Sequence, residues 1–318
     1  MDKMDYLYGP FLMSAIICAL IMPILIPVLR RLKFGQTIRE VGPSWHKKKN
    51  GTPTMGGIGF FISTLAAFLV YTKGNMENAL LFACCAGFFL IGFADDFIKV
   101  ILKRNLGLDE KQKLFFQTAL SVVFLFFAKK MGIIDTALSV PFTDFSIELG
   151  WFYYIFATGL IVGFSNAVNL TDGVDGLASS VTFIVCIFFA LFAMKINKLE
   201  YVAVPAAVAG GLLGFLFYNS HPARVFMGDT GSLFLGGVVS LISIALGYEI
   251  LLLPVGFIYL AEAVSVMIQV FWFKRTGKRV FLMTPIHHHY EKKGWSEKKI
   301  CAVFSTITVV FCLICYFA

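Results

Sequence analysis

Charge is scarce in this chain. Only 14% of its 318 residues are Asp, Glu, Lys or Arg against 58% hydrophobic, and a mean hydropathy of +0.80 excludes an ordinary soluble domain. No polar stretch is long enough for a separate soluble domain, and neither a long repeat nor a low-complexity linker breaks the pattern, so residues 1–318 read as a single integral-membrane domain. The opening ten residues set Asp2 and Asp5 against Lys3. They lack the basic start of a cleavable signal peptide, and the first apolar segment is expected to be retained. The seven cysteines (Cys18, Cys84, Cys85, Cys186, Cys301, Cys312 and Cys315) lie in or beside apolar runs and lack the spacing of a disulfide framework. Cys312 and Cys315 have a redox- or zinc-like spacing, but inside a terminal apolar run they read as packing residues.

What is there instead is a succession of apolar runs, each close to the roughly 20 helical residues that a hydrocarbon core about 30 Å thick requires. An all-α polytopic membrane fold with about ten transmembrane helices follows, over residues 10–29, 55–71, 79–94, 114–128, 151–168, 176–194, 201–218, 232–247, 250–272 and 300–318. With the N-terminus outside, the loops near residues 30–54, 95–113, 169–175, 219–231 and 273–299 face the cytoplasm and hold 21 of the 27 Lys and Arg. That bias sets the orientation, puts both termini outside and explains most of the +8 net charge as topology. The basic residues sit beside membrane spans, so anionic lipid or a phosphorylated substrate is the expected partner and nucleic acid is not. On the external side, residues 132–150 read as a small surface hairpin or loop.

Four polar motifs fall on the expected cytoplasmic face: Asp95-Asp96, Asn169-Leu-Thr-Asp172-Gly-Val-Asp175-Gly176, Gly228-Asp229-Thr230-Gly231-Ser232 and His287-His288-His289. A single shared site is the economical reading. Asp95 and Asp96, at the end of the third apolar run, need a cation, a proton or water, and Lys99 one helical turn later is positioned to serve one of them. The plain alternative is a solvated helix end with an ion pair. Asp172 and Asp175 share a face if that segment is helical, and the glycines beside them allow close backbone approach to a metal or phosphate; an Asp-Gly turn is the competing account. Asp229 opens the eighth run, where free amides favour anions and a carboxylate favours a hard cation, or where Asp229 merely caps the helix. Thr52-Pro53-Thr54-Met55-Gly56-Gly57, preceded by Lys47, Lys48 and Lys49, reads as a second phosphate cradle or as a capped helix start. In an extended loop, alternate members of the histidine run point the same way and two could orient a phosphate or carboxylate; zinc binding stays open beside that reading. Glu262, inside the ninth run, is costly in lipid and should face protein or a water-filled groove.

These motifs together resemble those of the phospho-N-acetylmuramoyl-pentapeptide transferases, members of the superfamily of polyprenyl-phosphate N-acetylhexosamine-1-phosphate transferases. The resemblance rests on Thr52–Gly57, Ala94-Asp-Asp-Phe-Ile-Lys99, Asn166–Ala178, Phe226-Met-Gly-Asp-Thr-Gly-Ser232 and Pro285-Ile-His-His-His-Tyr-Glu291, and it spans most of the chain. The acidic motifs specify the reaction type, while the threonine-proline and histidine segments tilt toward the muramoyl enzymes. The resemblance implies a homodimeric enzyme of the bacterial cytoplasmic membrane with its active site facing the cytoplasm. It implies transfer of phospho-MurNAc-pentapeptide from UDP-MurNAc-pentapeptide to undecaprenyl phosphate, with Mg2+ as cofactor. By that resemblance Asp95, Asp96, Asp229 and His287 are catalytic, and Asp229, with Asp172 as a second candidate, holds the metal. Lys49, Thr54, Lys99, Lys113, Asn169, Asp172, Asp175, Asn219, Phe226, His288 and His289 are assigned to substrate. Asp96 or Asp95 removes the proton from the lipid phosphate, or else a covalent aspartyl-phosphate forms. A UDP-GlcNAc-dependent transferase and, in a different class, an ion-coupled transporter are the competing functions.

Overall fold

The computed structural model describes residues 4–32, 51–72, 74–101, 107–141, 143 and 145–318. Lys47, Lys48 and Lys49 lie outside the described residues. The described chain is helical almost throughout: α1 (Asp5–Arg31), α2 (Gly57–Tyr71), α3 (Met76–Ile101), α4 (Glu110–Lys130), α5 (Phe152–Thr171), α6 (Leu177–Lys195), α7 (Ala203–Asn219), α8 (Gly228–Leu246), α9 (Leu252–Val255), α10 (Phe257–Thr276), α11 (Ile286–Lys292) and α12 (Glu297–Phe317). Nine of the ten apolar runs each fall on a single helix, and the run at 250–272 is divided between α9 and α10. Eight helices are long and apolar enough to cross a membrane: α1, α3, α5, α6, α7 with the turn before it, α8, α10 and α12. Helix α2 is apolar but has 15 residues, about 22 Å of rise against a core of about 30 Å. Helix α4 has 21 residues but opens on Glu110, Lys111 and Lys113 and closes on Lys129 and Lys130.

Three expectations need correction. Helix α3 does not end before Asp95 but runs on to Ile101, because Phe97, Ile98, Val100 and Ile101 continue its apolar character, so the acidic pair lies inside a helix. The run at 250–272 is interrupted: the short α9 stops at Gly256, two residues after Pro254, and α10 starts afresh. The histidine run is not an extended loop but forms α11, entered through Pro285. A short polar helix carries too little apolar periodicity to announce itself.

Helix α8 sits at the centre, with Thr230 to Leu246 buried without interruption, and α3 and α5 pack on it. Helices α1 and α2 pack on α7, which in turn packs on α6. The outer helices α1, α10 and α12 keep large apolar side chains such as Leu20, Met267 and Leu313 exposed, as lipid-facing helices do. Opposite the end of the bundle where α4 begins, strands β1 (Ala137–Ser139) and β2 (Ser146–Glu148) form the expected antiparallel hairpin, pairing Leu138 with Ile147. All seven cysteines are free and six are buried, in keeping with a packing role.

Candidate active site

Helix α3 delivers Asp95, Asp96 and Lys99 from adjoining turns, α4 delivers Lys113 from its first turn, and the start of α8 delivers Asp229. Asp95, Asp96 and Asp229 each offer a carboxylate oxygen within 4.8 Å of the other two. Lys99 Nζ lies 2.5 Å from Asp95 Oδ2, 3.0 Å from Asp229 Oδ2 and 3.7 Å from Asp96 Oδ1. Lys113 Nζ lies 2.9 Å from Asp95 Oδ2 and 2.7 Å from Asp229 Oδ2. Three carboxylates thus face two ammonium groups, which leaves an excess of negative charge in a mostly buried pocket. The side chain of Asp229 is 18% exposed while those of Asp95 and Asp96 are 0% and 5%. Asp229 is therefore the carboxylate with the most access from outside.

The two adjacent carboxylates are not equivalent. Asp95 is fully engaged: its Oδ1 accepts from the Leu108 N–H at 2.7 Å and its Oδ2 meets both lysines. Asp96 turns Oδ2 toward α8, where it accepts from the Thr230 N–H at 2.8 Å and from Thr230 Oγ1 at 2.7 Å. A carboxylate from α3 therefore caps the amide end of α8 and fixes the two helices in register. That end, expected to hold a phosphate or to be capped by Asp229, is partly occupied by Asp96. Its Oδ1 remains turned toward Lys99, at a distance longer than a hydrogen bond.

Asn169, in the last turn of α5, ties a second motif to the first. Its Nδ2 donates to Asp229 Oδ1 at 2.9 Å and to Ser232 Oγ at 2.8 Å. Asp172 caps the end of α5, with its N–H donating to Asn169 O at 3.2 Å, and is not one of the three clustered carboxylates. Asp172 and Asp175 do not share a helical face, because α5 ends at Thr171 and α6 starts at Leu177. Asp175 instead accepts at Oδ2 from the Ala223 N–H at 3.0 Å and lies 3.1 Å from His221 Nδ1, while its own N–H donates to Glu297 Oε2 at 3.1 Å. Asp175 thereby joins the α5–α6 loop to the loop after α7 and to the start of α12.

The Thr54 motif reaches the same place by backbone pairing. Phe226 N–H donates to Pro53 O at 2.8 Å, and Gly56 N–H returns to Phe226 O at 2.8 Å. Thr54 Oγ1 packs against Gly228 beside Asp96, and Phe226, two residues before Gly228, is fixed by this ladder. Asn219 is committed elsewhere: its Oδ1 accepts from Ser179 Oγ at 2.7 Å and its Nδ2 donates to Val225 O at 3.0 Å. It shapes the loop that carries Phe226.

Because α11 is helical, the three histidines diverge. His287 is buried against Glu262 of α10, His288 Nδ1 lies 2.6 Å from Glu291 Oε2, and His289 Nδ1 accepts from the Leu282 N–H at 3.2 Å. Desolvation, together with Lys293 nearby, holds the His289 imidazole below its usual pKa, which suits the neutral ring that this acceptor role needs. No three-histidine cluster stands among the groups that could hold a metal in the described residues.

Residues 78–247 match the family model described as "Glycosyl transferase family 4". A phospho-N-acetylmuramoyl-pentapeptide-transferase from Halalkalibacterium halodurans is 48% identical over 95% of this chain and 94% of its own length. The chain belongs to the phospho-N-acetylmuramoyl-pentapeptide-transferase family. A family member from Acetivibrio thermocellus is 49% identical over 97% of this chain and 94% of its own length. Another, from Caldanaerobacter subterraneus subsp. tengcongensis, is 48% identical over 92% of each.

Within this transferase fold, three contributors carry no mark in the sequence. Thr230 stands in the sequence only as a neighbour of Asp229, whereas its hydroxyl and amide both bind Asp96, 134 positions away. His221 and Glu297 sit in no recognisable motif, yet they join Asp175 in a group whose ligand atoms lie within 4.8 Å of one another. A His-Pro pair at 221–222 and a Ser-x-Lys helix start at 296 gave no signal that they meet.

Proposed function

We propose that this protein transfers phospho-MurNAc-pentapeptide from UDP-MurNAc-pentapeptide to undecaprenyl phosphate at the cytoplasmic face of the bacterial inner membrane, with UMP as the second product. The observation that carries the reading is the meeting of Asp95, Asp96 and Asp229 with Lys99 and Lys113 at the ends of membrane helices, in a chain of this family. Catalysis between two anions asks for charge neutralisation and alignment more than for a complicated reactive group. The 21 cationic residues of the loops on this side support the cytoplasmic orientation.

The carboxylate trio suits magnesium. Its donors are hard oxygens with neither Cys nor His among them, and the surplus of carboxylate over ammonium charge calls for a cation. Asp229 would hold it, together with Asp95 Oδ2 once the lysines turn to phosphate, which leaves Asp96 Oδ1 for the proton. Bound there, magnesium supplies Lewis-acid stabilisation for the negative charge that develops on departing UMP.

The remaining steps belong to the chain. Lys99 and Lys113 are placed to draw the diphosphate and the lipid phosphate against the acidic cluster, exchanging Asp95 and Asp229 for phosphate oxygens. Asn169 orients Asp229 through Oδ1 and so fixes which oxygen faces the substrate. Asp96 Oδ1 accepts the proton of the lipid phosphate, because Asp96 Oδ2 and both oxygens of Asp95 are already engaged. The deprotonated oxygen forms a bond to the β-phosphorus, the bond from that phosphorus to the bridging oxygen breaks, and UMP carries the released electron pair. A single displacement inverts configuration at a chiral β-phosphorus, whereas an aspartyl-phosphate route retains it.

The test uses purified full-length protein with magnesium, undecaprenyl phosphate and each UDP-sugar in turn. UMP release with UDP-MurNAc-pentapeptide is expected. Release with UDP-GlcNAc alone would transfer the assignment to the hexosamine branch, and no release with either donor would return the transporter reading.

A further inference from the structure

Glu262 and His287 form the most deeply buried ionisable pair that the catalytic account leaves unused. Both residues are 0% exposed, and Glu262 lies on α10 among lipid-facing side chains. A carboxylate at membrane depth is retained only with a partner or a task. His287 Nδ1 lies 3.0 Å from Glu262 Oε1, in ion-pair range though off the axis of an ideal hydrogen bond, and the His287 N–H donates to Glu262 Oε2 at 3.3 Å. One carboxylate thus accepts from the backbone of His287 through Oε2 and faces its ring through Oε1. The other ring nitrogen, Nε2, is buried and has no hydrogen-bond partner. It is aimed at Gly173, whose missing side chain leaves room for the imidazole: a Cβ there would overlap the ring, with Cε1 only 2.6 Å away. Gly173 stands in the loop between Asn169, which binds Asp229, and Asp175.

We propose that Glu262 is a positioning residue that locks His287 with Nδ1 protonated, so that the Nε2 lone pair is presented at the Asn169–Gly176 segment to a hydroxyl or N–H group of the nucleotide-sugar donor. The carboxylate takes the Nδ1 proton side because it can only accept, and the ring's second nitrogen then becomes an acceptor. Buried polar atoms are almost always satisfied, and while Nδ1 and Glu262 Oε1 lie 3.0 Å apart and can pair by a small turn of the ring, Nε2 has no protein group to turn to, which marks where a ligand group belongs. The arrangement follows the general logic by which a second carboxylate fixes the tautomer and direction of a working histidine. This inference rests on the nucleotide-sugar reading above for the identity of the ligand, but not for the geometry of the pair.

Four variants of the full chain decide it: Glu262→Leu, Glu262→Gln, His287→Ala and the double variant Glu262→Leu with His287→Ala. UMP release is followed for kcat and KM of the donor, and thermal unfolding is followed alongside. Glu262→Leu is expected to lower kcat/KM by about 10- to 100-fold. Glu262→Gln, which keeps one oxygen acceptor for Nδ1, is expected to lose less. In the His287→Ala background the leucine substitution is expected to change kcat/KM no further, because its effect passes through the missing ring. Equal fold-losses in both backgrounds, or an unchanged kcat/KM in Glu262→Leu, would overturn the proposal. Should Glu262→Leu fail to fold, the same cycle is run with Glu262→Gln. Unmutated protein that releases no UMP from any donor defeats the functional reading instead. The pair is then judged by NMR of isotope-labelled histidine nitrogens, where one fixed Nδ1–H tautomer at His287 that becomes mixed in Glu262→Gln supports it, and mixed tautomers in the unmutated protein refute it.

Discussion

Single residues here do work that their neighbours in sequence do not reveal, and Glu249 is a case at the end of the bundle away from the acidic cluster. It is buried between α8 and α9, and Tyr153 O–H donates to its Oε1 at 2.5 Å. Burial, the dominant influence, raises its carboxyl above the ordinary value of 4.5, with the Tyr153 bond a smaller influence in the other direction. A group whose pKa is raised by folding contributes stability below its unfolded value and loses that contribution as the pH climbs through the raised value. Glu249→Gln keeps an oxygen for Tyr153 and removes the ionisation. Its thermal unfolding midpoint in detergent should therefore exceed that of the unmutated protein at neutral pH, and the gain should shrink as the pH falls toward 4.5. A gain independent of pH would show that ionisation of Glu249 is not involved. The same lesson applies to Asp96. Its acidity and its closeness to Lys99 were legible from the sequence, but its hydrogen bonds to Thr230 join residues 134 positions apart and were not. Asn219 shows the converse, since a polar residue at a loop start looks available for substrate until Ser179 and Val225 are seen to occupy it.

Helices matter through how closely they approach. Helix α3 meets α8 at Gly92, one turn before Asp96, where an added Cβ would lie 2.8 Å from the Thr230 nitrogen and closer still to the Asp229 carbonyl. Backbone cannot yield as the tip of a flexible side chain can, so Gly92→Ala must push α3 away from α8 and with it Asp96 from Thr230. Overpacking of this sort costs typically about 1–3 kcal/mol, and the misalignment should reduce UMP release by about 100-fold, the scale on which a shift near 1 Å acts on a preorganised site. Gly159→Ala in α5, with open space around the added methyl, is the control and should leave both stability and turnover near their starting values. Equal effects from the two substitutions would mean that helix propensity, not helix spacing, is being measured. At this scale the sequence was a good guide wherever an element was long and apolar, since nine of the ten runs each found a single helix. It failed on α11, where seven residues with three histidines carry no hydrophobic period, and on the break at Gly256, where the apolar run continues although the helix does not.

For the molecule as a whole, the decisive question is which side of the bilayer carries the acidic cluster. Helix α4 connects the two ends of the bundle: its first turn holds Lys113 against Asp229, and its last leads to the β1–β2 hairpin. Its 21 residues give a separation of about 30 Å, the thickness of the hydrocarbon core. On the function proposed above, α4 crosses the bilayer and the acidic end, where Lys and Arg cluster, is the cytoplasmic one. In the sequence this orientation is an expectation from charge bias alone, and the fold adds the ruler that makes it testable. Thr143 lies between the hairpin strands and Lys111 is exposed beside the acidic end. Six native cysteines are buried, so a background with Cys301→Ser removes the one that is partly exposed. In intact cells a membrane-impermeant maleimide should label Thr143→Cys and spare Lys111→Cys, and in inverted vesicles the pattern should reverse. Labelling of both positions from one side would mean that α4 does not cross, and a reversed pattern would put the carboxylates outside, where a cytoplasmic nucleotide-sugar could not reach them.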